Sequence, residues 1–179
     1  ADELGLLAVK IPLNKDMVKN EALFFKEVID GIVTKGKEKG IYSDFYMKLR
    51  KVLDLLDVNV EIPLLFGTAY ISFKRGLNTD IPQQVLIHDF KELHKRAKER
   101  GIPTIVLLFD ECDLLAENEV LLQKIRNIFM EVEGYILVFS GTERMFSLLS
   151  RVFSPIPRFF KRINVENFKN VRETEECLL

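Results

Sequence analysis

The residues best placed to do chemistry are Asp110 and Glu111, which stand at the end of the run Ile105-Val-Leu-Leu-Phe109. Five apolar residues without polar alternation predict a strand buried on both faces of a parallel sheet. Open α/β sheets bind ligands at the carboxyl ends of their strands. Two adjacent acids at that position suit a Mg²⁺-phosphate site. The first would orient the water shell of the ion, and the second would polarise an attacking water. About 25 residues on, a second continuous apolar run, Tyr135-Ile-Leu-Val-Phe139, delivers Ser140 and Thr142 to its own carboxyl end. Their hydroxyls could contact a γ-phosphate or the attacking water. A Ser-Gly-Thr turn capping the next helix accounts for them equally well.

Other residues compete for attention. Gly31 to Glu38 follows the phosphate-loop pattern G-x-x-x-x-G-K-[ST] until its last position. Glu38 there removes the Mg²⁺-ligating hydroxyl and brings a negative charge toward phosphate. The segment also reads as the end of a helix rather than a strand-to-helix turn. His88 and His94 are six apart on one helix and do not share a face as i, i+4 ligands would. Cys112 reads as a small buried thiol. The basic cluster Lys95, Arg96, Lys98 and Arg100 suits the negative end of a helix dipole without any partner. Arg158 and Arg162 follow a Pro-bearing loop, where either could reach phosphate or remain a surface cation.

The elements that must position these groups follow from periodicity. Residues 4–13 form a short strand ended by Pro12 and Asn14. Asp16 can cap a helix with Val18, Ala22, Phe25, Ile29 and Ile32 inward, closed near Gly36 and Gly40. A second helix is expected over 43–57 and a β-hairpin over 58–74. Asp80, Pro82 and Gln83 start a helix with Leu86, Phe90, Leu93 and Ala97 inward, stopped by Gly101 and Pro103. Asn118 caps the next, with Leu121, Ile125, Ile128 and Val132 inward. A short helix over 143–150 then leads to a loop and a last strand ending near Val165. Strands alternating with helices at this spacing predict an α/β fold, a parallel sheet with right-handed crossovers and helices on both faces.

Composition bounds the partners. The 179 residues are 47% hydrophobic and 30% charged with a net charge of −1. Length alone gives one domain with a full core. Net charge steers the chain toward neither nucleic acid nor an anionic membrane. No apolar run approaches the ~20 residues of a membrane span. Cys112 and Cys177 form neither a metal-like spacing nor a disulfide framework, so a cytoplasmic setting is expected.

With Ile105–Leu115, Leu137–Thr142 and Pro157–Val165 in this order, the chain resembles archaeal-type AAA+/STAND P-loop ATPases, most nearly their origin-recognition branch. The resemblance implies ATP and Mg²⁺ as cofactors. It makes Asp110 the Mg²⁺-coordinating residue of a Walker B element, Glu111 the activator of water, and Ser140 or Thr142 the sensor. Arg158 or Arg162 would act as an arginine finger. It also implies an ATPase core over 1–166, a helical lid or tail beginning at 167–179, and a phosphate loop (Walker A) supplied from outside these residues. The chain would then be part of a longer protein, able to self-associate or to bind a partner protein. A degenerate ATPase fold kept as an interaction module is the alternative. Asp110-Glu-Cys-Asp113 with Ser140-Gly-Thr142 is also similar to motifs II and III of DExD-type helicases, although no segment between 14 and 103 resembles their backbone-contacting motifs.

Overall fold

The structure is a computed structural model that describes residues 5–42, 81–145, 147 and 161–165. The helix expected at 43–57, the hairpin at 58–74, Asp80, Arg158 and the tail at 167–179 lie outside the described residues.

The described elements are β1 (Leu6–Pro12), α1 (Lys15–Lys19), α2 (Glu21–Glu38), α3 (Gln83–Glu99), β2 (Thr104–Asp110), a 3₁₀ turn (Cys112–Glu117), α4 (Glu119–Glu131) and β3 (Tyr135–Phe139). They form an α/β unit. Its three strands lie parallel in the order β1-β2-β3, so the acid-bearing strand is central among them. Val9 pairs with Leu107, and Leu107 with Leu137.

Local signals decide the helix ends. The strand gives way at Asn14, whose side chain accepts from the amides of Asp16 at 3.1 Å and Met17 at 3.0 Å. Asn14 is therefore the cap expected of Asp16, which instead falls in the first turn. The single helix expected from Asp16 is two, because Asn20 is extended (φ −122°, ψ 102°) and caps α2 through the amide of Leu23. At the far end Gly40 adopts φ 71°, and Ile41 and Gly40 donate to the carbonyls of Gly36 and Lys37. This is the paired C-terminal closure that a residue with positive φ permits. Gly101 closes α3 in the same way, with Ile102 bonded to Ala97 and Gly101 to Lys98. Asn118 caps α4 as expected, and its amide also donates to Val18 O at 2.8 Å, tying α4 to α1.

The core lies between the sheet and α2, α3 and α4. Leu7, Val9, Ile11, Ile105, Leu107 and Phe109 are buried on one sheet face. Phe109 stacks between Phe24 of α2 and Phe139 of β3, at centroid distances of 5.9 and 5.3 Å. Phe90 of α3 meets Phe129 of α4 and Tyr135 of β3 at 4.8 and 5.7 Å. Each such ring contributes about 2–3 kcal/mol on burial. The inward positions expected for α2, α3 and α4 are all buried.

Two expectations need correction. The central strand is not buried on both faces: Val106 and Leu108 are half-buried, and their neighbours Ile136 and Val138 are 50% and 41% exposed. The ring and glycine contacts place α2, α3 and α4 against the same face of the sheet. Residues 161–165, expected in a last strand, carry no strand.

The Gly31–Glu38 segment lies wholly inside α2, as its reading as helix expects. Packing explains both of its glycines. A Cβ on Gly31 would come within 2.9 Å of Val9 and Ile11, so Gly31 lets α2 lie close on β1. A Cβ on Gly36 would overlap the Tyr42 ring at 2.2 Å; Tyr42 in turn donates its hydroxyl to Leu93 O at 2.9 Å.

Candidate functional site

The carboxyl ends of β2 and β3 bring Asp110, Glu111, Ser140 and Thr142 into one region. Asp110 is the last residue of β2. The chain turns sharply at Glu111, which has φ 58° and ψ 39° and is the one non-glycine residue with positive φ among the described residues. Only glycine adopts this region readily, and another residue there carries about 1–2 kcal/mol of strain. Such strain tends to gather at functional turns. The turn presents the Glu111 side chain to solvent.

Asp110 is held by its own chain. Oδ2 lies 2.9 Å from Lys10 Nζ on the neighbouring strand β1, and Oδ1 accepts from the Glu111 amide at 3.1 Å. The nearby Ser140 hydroxyl adds a minor lowering of its carboxyl. The Lys10 contact first, then these donors, hold the carboxyl below its ordinary range, and the same contact raises the Lys10 ammonium. Parallel pairing explains the reach. Pro12 stands in register with Asp110, so Lys10, two residues earlier, shares its sheet face.

Thr142 is engaged elsewhere. Its amide donates to Asp113 Oδ2 at 2.9 Å and its hydroxyl to Asp113 Oδ1. The Thr142 hydroxyl, first of these contacts, lowers the Asp113 carboxyl. Asp113 thereby clasps the turn after β3 to the turn after β2, reinforced by Cys112 N donating to Ser140 O at 2.9 Å. Thr142 is thus taken up by Asp113, and the hydroxyl nearer Asp110 is that of Ser140. Asp113 and Lys10 are the site residues that sequence reasoning missed as such. Asp113 had a signal, its place in Asp110-Glu-Cys-Asp113. Lys10 had none, since only strand pairing brings it across 100 positions to Asp110.

The remaining candidates take structural roles. Cys112 is fully buried, donates to Phe109 O, and burial pushes its thiol up to about 12. His94 meets Pro103 O at 2.8 Å and fills the space over Gly134, while His88 is exposed. Arg162 pairs with Glu143 Oε1 at 3.1 Å, just past Thr142. A cleft of about 590 Å³ opens beside Lys19, Glu21, Pro82, Gln83, Val120 and Lys124. It includes none of the four expected site residues, and its Lys124–Glu21 pair, at 2.6 Å, is satisfied internally along with the Ile81 backbone.

The fit of the site to Mg²⁺ turns on its donors. Among the described residues no group of three or more His, Cys, Asp or Glu could hold a metal ion. Mg²⁺ at a nucleotide asks less: one or two carboxylates, the rest of its shell coming from water and phosphate oxygens. Asp110 supplies one such carboxylate, 40% exposed, with the Ser140 hydroxyl beside it. The donor set fits on that condition. No helix among the described residues is long and apolar enough to cross a membrane. Comparison of the chain with protein-family models and with curated proteins finds no match.

Proposed function

We propose that this chain is the Walker B and sensor portion of a P-loop-type ATPase core that couples Mg-ATP hydrolysis to a change of shape or assembly. The observation that carries the reading is the acid pair at the carboxyl end of the central strand, with Ser140 at the carboxyl end of the next parallel strand. In this reading Asp110 holds the ion's water shell, and Glu111, solvent-facing on its strained turn, orients the attacking water. Ser140 is the sensor. Thr142 is held back by Asp113, and Arg162 stands near the same turn through Glu143. Bound Mg²⁺ would offset phosphate charge in the transition state. None of the three strand-to-helix turns described carries a glycine-rich phosphate loop, so phosphate must be gripped by other residues.

A second reading has its own observation. Ile136 and Val138 stay half-exposed on the face opposite the helices, which suits a degenerate ATPase fold kept to bind a partner protein. Nucleic acid as a target gains nothing from the net charge of −1.

Calorimetric titration of Mg-ATP into this chain, and into a form extended upstream of Ala1, separates the two. The ATPase reading expects binding by the extended form, with Glu111→Gln sparing binding and abolishing turnover. Near-normal turnover in that variant would remove Glu111 from its role. Absence of binding by either form would leave the interaction module.

A further inference from the structure

Asp110 already has a cation. Its carboxylate accepts from the Lys10 ammonium at one oxygen and the Glu111 amide at the other, so each oxygen already has a donor. Lys10 also lies within the field of Glu111, so both acids draw on the same ammonium. The other carboxylate in the turn after β2, Asp113, is taken up by Thr142, and Glu143 past Thr142 is paired with Arg162. A divalent ion approaching Asp110 therefore meets a positive charge 2.9 Å from the oxygen it needs. Lys10 is not held in place by packing. Its side chain is 68% exposed and flexible, so it can be drawn off by a competing anion.

We propose that Lys10 is a built-in counterion that competes with the divalent ion for Asp110 and leaves it when an anionic phosphate offers the ammonium a new partner. This rests on the ATPase reading of the acid pair and adds to it a residue from the neighbouring strand. The exchange is of ionic partners only. With Lys10 on Asp110 the site resists the bare ion; with phosphate present Lys10 moves to the phosphate, and Asp110 is released to the ion. The ion and the phosphate then favour each other's binding, because each removes what opposes the other.

The test uses Mn²⁺ as the probe, followed by its paramagnetic resonance signal, with the whole chain as wild type, Lys10→Met and Asp110→Asn. Lys10→Met keeps the stem on the sheet surface and removes the charge. Its expected effect is Mn²⁺ binding tightened about threefold or more in the absence of nucleotide, the scale of an exposed ion pair. Asp110→Asn should abolish that binding. Inorganic triphosphate should tighten Mn²⁺ binding more in wild type than in Lys10→Met. Equal Mn²⁺ affinity in wild type and Lys10→Met, with Asp110→Asn still losing it, would overturn the counterion role alone. Equal affinity in all three, or binding by none, would overturn both that role and Asp110 as the ion's ligand. Circular dichroism of each variant separates these outcomes from misfolding.

Discussion

Asp89 is a carboxylate buried in α3 at 1% exposure, and neither of its oxygens has a hydrogen-bond partner. Burial alone pushes its carboxyl up from 3.8 to about 8. Ionising such a group in a low-dielectric interior is costly, so it stays protonated in the folded chain at neutral pH. The unfolded chain releases the same proton near 3.8. Between those values the native state binds more protons than the unfolded state, so the contribution of Asp89 to stability falls as pH rises. The slope is roughly 1.4 kcal/mol per pH unit for one proton and vanishes above about pH 8. From pH 6 to pH 8 the loss is therefore about 2–3 kcal/mol, a large part of a typical domain's margin of 5–15 kcal/mol.

Asp89→Asn keeps the shape and removes the ionisation. Urea unfolding of wild type and variant at intervals from pH 5 to pH 9 should give a stability difference that moves in favour of Asn by about 4 kcal/mol, roughly 1.4 kcal/mol per unit up to pH 8, and then levels off. Other titrating groups cancel in the difference. Parallel pH profiles for the two proteins would refute the reasoning, and would mean that Asp89 is solvated or paired in solution.

Glu111→Gly should relieve the left-handed turn at φ 58° and raise stability by ~1 kcal/mol or less, since glycine also gains unfolded-state entropy; a lower thermal midpoint would show that the Glu111 side chain makes a compensating contact. Gly134→Ala should cost about 2 kcal/mol or more in chemical denaturation, because Gly134 sits at φ 80° and a Cβ would lie 1.9 Å from His94 Nε2, displacing that ring from Pro103 O. Unchanged stability there would mean that His94 moves aside freely.

Much of the fold was legible in the chain because the signals are local. The apolar runs at 105–109 and 135–139, the 3.6-residue spacing through Leu86, Phe90, Leu93 and Ala97, and the stops at Gly40 and Gly101 each act within a few residues. The cap at Asn14 rather than Asp16 was the weaker kind of inference. Both residues can cap, and the choice depends on where β1 lets the backbone leave its extended form. The acid pair was legible too, since an Asp-Glu after an apolar run reads the same whatever surrounds it. The Gly31–Glu38 pattern shows the limit of a motif: the same glycines serve the approach of α2 to Val9 and of Tyr42 to Gly36.

By itself the sequence determined the order of strands and helices, their inward faces and the position of Asp110 and Glu111 at a strand end. These follow from backbone geometry and burial, which act along the chain. Tertiary structure alone decided that Lys10 faces Asp110, that Asp113 rather than a ligand holds Thr142, and that Asp89 is buried without a partner. Each of these joins or isolates charges through the pairing of distant elements. Coulomb and hydrogen-bond energies depend on separation in space, which the spacing of residues along the chain does not contain.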